Sequence, residues 1–269
     1  MLLLAGTTEA AALASALAGR PHVEVVASLA GHTRSPDRLP CPVRTGGFGG
    51  VDGLVRELRE GGYGALVDAT HPFARVMPHH AAEAASAAGV ARLRLLRPPW
   101  RPVVGDEWHD VPDLAAAAAA LPGLEARRVL LTTGRLDLAP FAAVPPVTSW
   151  VVRSIERPDP LPLADATVVL ARGPFSVDDE LALLREHRID TVVAKNSGGA
   201  AVAAKLTAAR MLGVRVVMVR RPPGPSGPLA TTPALALTWL DALAPGSSSL
   251  NPVQMPSDSD GIRTRFDPA

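Results

Sequence analysis

Short apolar runs alternate with amphipathic or alanine-rich runs from the first residue. MLLLAG (1–6) leads into TEAAALASALAG (8–19), and VEVVASLAG (23–31) follows. VDGLVRELREG (51–61) carries Val51, Leu54, Val55 and Leu58 at helical spacing. Then come ALVDATHPF (65–73), the alanine-rich VMPHHAAEAASAAG (76–89) and RLRLLRP (92–98). Helices after most strands, each closed by glycine, predict a mostly parallel sheet covered on both faces.

The pattern begins again near residue 129. RRVLLTTGRLDL (127–138), SWVVRSI (149–155), TVVLARGPF (167–175), IDTVVAKNSGG (189–199) and VRVVMVRRP (214–222) are strand candidates. DDELALLREHR (178–188) and GAAVAAKLTAARMLG (199–213) are the helices between the last three. The architecture repeats although the sequence does not. The expectation is two α/β domains, 1–125 and 126–245, joined near LPGLEAR, with 100–111 passing between them. Residues 246–269 lose periodicity, turn polar and read as a flexible tail.

Composition narrows the function classes. With 27 Lys plus Arg against 26 Asp plus Glu, the formal charge of +1 gives no support to a nucleic-acid role. Cys41 is the single cysteine, which excludes an internal disulfide and a thiolate zinc cluster and fits a reducing cytosol. MLLLAGTTEA reads as a first strand, not a signal peptide, and the Ala/Leu-rich runs fall short of the roughly 20 residues of a membrane span. The histidines show no HExxH spacing and no cysteine partners, and no GxSxG elbow occurs, so neither a metal site nor a serine hydrolase is expected.

Candidate chemistry gathers where strands end, the usual ligand side of an open α/β sheet. In GTTEA, Gly6, Thr7 and Thr8 open a helix whose free N–H groups suit a phosphate. The same residues equally suit a threonine cap followed by a first-turn Glu9. After the second strand stand Ser28, Gly31, His32, Thr33, Arg34 and Ser35. In a nucleotide fold, arginine and serine there suit a ribose 2′-phosphate better than a free hydroxyl. RTGGFGG sets Arg44 and Phe48 among four glycines. DATHPFA places Asp68, Thr70 and His71 at one strand end, with Pro72 fixing the turn. TTGR supplies Thr133 and Arg135, and Arg172 ends a further strand. KNSGG joins Lys195, Asn196, Ser197 and Gly198 at a helix start, with Ser197 as cap and a carboxylate or phosphate as the natural guest.

In this order, LLLAGTTEA, SLAGHT, RTGGFGG, DATHPFA, TTGR and AKNSGG followed by AAKLTAARMLGVRVVMVRRP resemble the precorrin-6A reductase family of cobalamin biosynthesis, over about residues 1–222. The resemblance implies two Rossmann-like domains around an interdomain cleft. It also implies NADPH-dependent reduction of one ring double bond of precorrin-6A, giving precorrin-6B, with no protein-bound catalytic metal. On that footing Gly6, Thr7, Thr8, Ser28, Gly31, Thr33, Arg34 and Ser35 hold NADPH on the first domain. Arg44, Phe48, Thr70, Thr133, Arg135, Arg172, Lys195, Asn196, Ser197 and Gly198 face the carboxylate-fringed tetrapyrrole, and Asp68 or His71 supplies or relays the proton, with Asp68 as a turn cap and water as the donor the alternative. A cytoplasmic monomer that hands product to neighbouring pathway enzymes completes the expectation. A cobalt-precorrin-6A reductase using NADH, a non-redox transferase and a corrinoid-binding protein are the alternatives.

Overall fold

The structure is a computed structural model that describes residues 1–20, 22–31, 38–145 and 149–243. Thr33, Arg34, Ser35 and the 246–269 segment lie outside the described residues.

The first sheet takes β1 (Leu2–Leu4), β2 (Val26–Leu29), β3 (Val43–Thr45), β4 (Ala65–Asp68) and β5 (Ala91–Leu95). Its helices are α1 (Thr8–Leu17), α2 (Gly50–Glu60) and α3 (Met77–Ala88). The chain then crosses to β6 (Trp108–Val111), α4 (Leu114–Gly123), β7 (Arg128–Leu131), β8 (Ser149–Ser154), β9 (Thr167–Leu170), α5 (Val177–Glu186), β10 (Thr191–Lys195), α6 (Ala204–Leu212) and β11 (Arg215–Val219). It returns for β12 (Leu229–Ala230) and α7 (Pro233–Leu243).

The two sheets have six strands each, in the orders β12-β5-β4-β1-β2-β3 and β6-β11-β10-β7-β8-β9, and every pairing is parallel. Both repeat the 3-2-1-4-5-6 order of a dinucleotide fold. The sixth strand is supplied differently: β6 precedes the rest of its sheet, whereas β12 returns after the whole second sheet. The sheets therefore divide the chain elsewhere than at the expected 125/126. Residues 108–123 belong to the second sheet and 229–243 to the first. A linear reading assigns each strand to its sequence neighbours, and these two pair with distant ones.

Burial follows the strand period of two. Leu3 and Val67 face α1 and α7, while Leu2, Leu4 and Leu66 face α2 and α3. In the second sheet Val129, Leu131 and Val193 face α4, and Leu130 and Val192 face α5 and α6. Local signals set the helix ends. The Thr7 hydroxyl caps α1, Ser176 and Asp179 form a capping box on α5, and Gly89 and Gly213 close α3 and α6 in the left-handed conformation. Among the described residues no helix is long and apolar enough to cross a membrane.

Candidate active site

In each sheet the strand order reverses at one crevice, between β1 and β4 in the first and between β7 and β10 in the second. Ligands of open α/β sheets sit outside the carboxyl ends at such a point. Four of the sequence motifs fall there: GTTEA and DATHPFA at the first, TTGR and KNSGG at the second. Leu4 pairs in register with both Ser28 and Asp68, so three adjacent strands end level.

At the first crevice the motifs are bonded to each other. The Thr7 hydroxyl donates to the Ala69 carbonyl at 2.9 Å and accepts from the Ala10 N–H at 3.2 Å. Thr7 is therefore a cap and a brace, and Thr8, at the first position of α1, remains exposed. Gly6 has φ 134°, a conformation that side-chain-bearing residues rarely adopt, with nothing within 4 Å of where a Cβ would stand. Asp68 is 1% exposed. Its Oδ1 accepts from the Thr70 N–H at 3.1 Å and the Thr70 hydroxyl at 2.6 Å, while Oδ2 lies 3.7 Å from Arg94 Nε. Asp68 and Thr70 thus brace the turn rather than project from it.

His71 sits differently. Its Nδ1 accepts the Phe73 N–H at 3.1 Å, which leaves the ring proton on Nε2. Burial, reinforced by Lys195, Arg97 and Arg221 nearby, pushes its pKa down from 6.5 to about 3. The imidazole is held neutral. Two of those three cations come from the second sheet and its exit, so the loop after β4 lies against the loop after β10. Phe73 makes the same crossing: its ring packs against the core cluster of the second sheet and lies 5.4 Å from Lys195 Nζ.

Several second-sheet residues expected to meet a ligand are partly or wholly committed within the protein. Lys195 donates to Asp137 Oδ2 at 2.8 Å. The Asn196 amide accepts from the Trp100 N–H at 2.7 Å and donates to the Trp100 carbonyl at 3.0 Å, so both ends of it clamp the crossing segment. Ser197 is not a helix cap, because α6 begins at Ala204 with Ala203 before it. Gly198 and Gly199, at φ 66° and 86°, turn the chain away from helix first. A Cβ on Gly198 would stand 2.0 Å from the Pro98 carbonyl oxygen, so the glycine admits the crossing segment. Thr133 is 2% exposed and its hydroxyl has no partner among the described residues. Arg135 lies 3.4 Å from Glu156, and Arg172 is exposed.

Around the second strand, Arg44 donates to the Ser28 hydroxyl at 2.8 Å and to the Gly46 and Gly47 carbonyls at 3.3 Å, and stacks 3.9 Å over the Phe48 ring. Phe48 itself packs down on the α2–α3 side. Gly31 has φ 79°, and a Cβ there would stand 3.1 Å from the Thr45 methyl.

Sequence reasoning passed over Arg97, Arg221 and Asp137, and counted Phe73 among the DATHPFA groups without giving it a role. Arg221 donates to the Asn196, Arg97 and Ser197 carbonyls, and its pKa is lowered to about 10 by burial and by Arg97 and Arg94. For Arg97 the signal available was RLRLLRP: arginines set among buried leucines need carboxylates or carbonyls to meet wherever they are buried.

A two-sheet Rossmann-like protein whose two crevices are bonded to one another through a cationic contact is the class these features define. The sequence profile described as Precorrin-6x reductase CbiJ/CobK matches residues 1–241. A precorrin-6A reductase of Rhodococcus erythropolis is 49% identical over 245 residues, covering 90% of this chain and 98% of its own length. One from Rhodobacter capsulatus is 47% identical over 241 residues, covering 89% and 95%. A solved structure of a CobK precorrin-6A reductase superposes with a TM-score of 0.85 at 46% identity, covering 90% of this chain and 96% of that one. The chain belongs to the precorrin-6A reductase family of cobalamin biosynthesis.

Proposed function

We propose that this chain reduces precorrin-6A to precorrin-6B with NADPH, in the cytoplasm, at a cleft between the two crevices. The observation that carries the reading is His71: a neutral imidazole on the first crevice, set among Lys195, Arg97 and Arg221 at the edge of the second.

The first crevice fits the cofactor. Gly6 leaves open space for close approach, and the exposed Thr8 and the first-turn N–H groups of the ten-residue α1 offer donors to a phosphate. When bound there, NADPH supplies the hydride. Arg34 and Ser35 are the residues proposed to prefer its 2′-phosphate over the hydroxyl of NADH.

The protein's own part is placement and charge. Lys195 offers a macrocycle carboxylate an ammonium now paired with Asp137, and Arg135 and Arg172 extend the cationic edge. Phe73, from the first crevice, packs against the core of the second sheet. As hydride enters the ring double bond, electron density moves into the conjugated macrocycle and a proton is added at the neighbouring carbon. His71 presents a neutral Nε2–H to that density. Because its imidazolium is scarcely populated near neutrality and its Nδ1 is taken by the Phe73 N–H, it acts as a hydrogen-bond donor to that density, not as a charged acid, and the added proton comes from solvent. Asp68, held by Thr70 and Arg94, keeps the His71 turn in shape.

The test is turnover. Purified protein with precorrin-6A consumes NADPH faster than NADH, and faster than with the cobalt-containing substrate. No oxidation of either nucleotide with either macrocycle overturns the reading.

A further inference from the structure

Among the side chains that link the two crevices, Arg97 belongs to neither motif set. Arg97 leaves the end of β5 where the chain starts its crossing. Its Nη1 donates to Glu9 Oε2 at 2.6 Å, and its Nε donates to the Ser197 carbonyl at 2.7 Å. Glu9 lies in the first turn of α1, directly behind Gly6, Thr7 and Thr8. Ser197 is the centre of the loop after β10.

The contact is close-packed as well as charged. A Cβ on Gly199 would stand 3.0 Å from Arg97 Cδ, and the Ser197 carbonyl is shared with Arg221 Nη2 at 3.0 Å. Arg221 also holds the Arg97 carbonyl at 2.8 Å, so the backbone of Arg97 is fixed from the second sheet while its side chain reaches the first. The guanidinium fork supplies two directions at once, which a lysine ammonium does not reproduce.

We propose that Arg97 is a positioning residue for the reaction: acting through Glu9 and the Ser197 backbone, it sets the separation of the 6–9 loop from the 195–199 loop and touches neither ligand. The kinetic consequence rests on the reductase reading above; the structural consequence does not. Hydride transfer depends on donor and acceptor approaching within a narrow distance, and a misplacement of about 1 Å costs on the order of 10²-fold.

The experiment has a kinetic and a structural arm. In the kinetic arm, Arg97→Met lowers kcat by about 10- to 100-fold, while KM for both ligands and the NADPH Kd from fluorescence titration stay within about threefold. Arg97→Lys recovers part of the loss. Glu9→Gln lowers kcat in the same direction, and the double variant is no slower than Arg97→Met alone, as residues of one linkage are non-additive. Should Arg97→Met fail to fold, Glu9→Gln carries the arm, with a kcat loss of about fivefold or more. Unchanged kcat in a folded variant, additive losses, or a rise in Kd with kcat kept each overturns the proposal.

In the structural arm, spin labels go on the exposed positions Ser15 of α1 and Glu186 of α5 in a Cys41→Ser background. Without any ligand, the distance distribution is narrow in the otherwise native chain and broad or shifted in Arg97→Met or Glu9→Gln. A distribution that stays narrow and unmoved in them overturns the proposal even if turnover falls. A broadened distribution in a chain that never oxidises NADPH upholds the positioning and rejects the reductase reading.

Discussion

The Phe73 N–H donates to Nδ1 of His71 at 3.1 Å, and this one bond decides what the imidazole can do. An Nδ1 engaged as acceptor cannot also carry a proton without losing that bond. Burial and three neighbouring cations add to the same effect, so the pKa falls to about 3. The DATHPFA loop thus carries a neutral imidazole with its proton on Nε2, set near cations from both sheets.

His71 gives the first prediction. Its imidazole stays neutral, protonated on Nε2, across the physiological range, and ring 15N shifts show no titration between about pH 5 and 8. Its folded pKa lies below the unfolded value of 6.5, so the unfolded chain binds a proton that the folded chain refuses. Stability therefore falls as pH drops from about 6.5 towards 3. His71→Asn, whose side chain can still accept from Phe73, flattens that part of the thermal-midpoint curve. An equal slope in the variant contradicts the assignment.

Lys195 and Asp137 give the second. The 2.8 Å pair leaves Asp137 with 39% of its side chain exposed, where a substrate carboxylate can replace it. Asp137→Asn lowers KM for the macrocycle by up to about fivefold at low salt, the usual scale of a partly exposed pair. Lys195→Met raises it by roughly tenfold or more, through loss of a charge-assisted hydrogen bond. NADPH affinity stays the same in both, and steady-state kinetics at two ionic strengths read the difference.

Asp68 gives the third. Replacing it by Ala leaves the buried Arg94 guanidinium without its carboxylate and Thr70 without an acceptor. The expected cost is about 3–5 kcal/mol in urea unfolding. Asp68→Asn costs less, because its amide oxygen still accepts from Thr70. If Asp68 were the proton donor instead, Asn would abolish turnover while leaving stability almost intact.

Asn196 gives the fourth. Both ends of its amide are used on the Trp100 backbone. Asn196→Asp keeps an acceptor for the Trp100 N–H but sets a carboxylate against the Trp100 carbonyl. It therefore destabilises more than Asn196→Ala, which costs about 1–3 kcal/mol for the polar groups it leaves unpaired. Chemical denaturation of the two variants orders them.

The architecture was legible because its signals are local. Apolar runs such as Leu2–Leu4 and Ala65–Asp68 sit between turn residues, and Thr7, Gly89 and Gly213 mark helix ends. Sheet membership was not legible at Trp108–Val111 and Leu229–Ala230, whose pairing partners lie more than a hundred residues away in the chain. The site was legible as an inventory of strand ends but not as contacts. KNSGG reads as an anion loop because lysine and glycines suit one. Its glycines instead make room for Pro98 and Arg97, and its lysine has a partner in Asp137, which no spacing rule connects to it. Arg97 was hidden for the same reason: its meaning depends on Glu9 and Ser197, one from each sheet.

The most direct test of the account is a single turnover with NADPH deuterated at the transferable position of its nicotinamide, the product being weighed by mass spectrometry. The account predicts NADPH oxidation matched by one deuterium in the reduced macrocycle, with the second hydrogen drawn from solvent. Oxidation of the nucleotide without deuterium in the product, or a macrocycle returned unreduced, would contradict it.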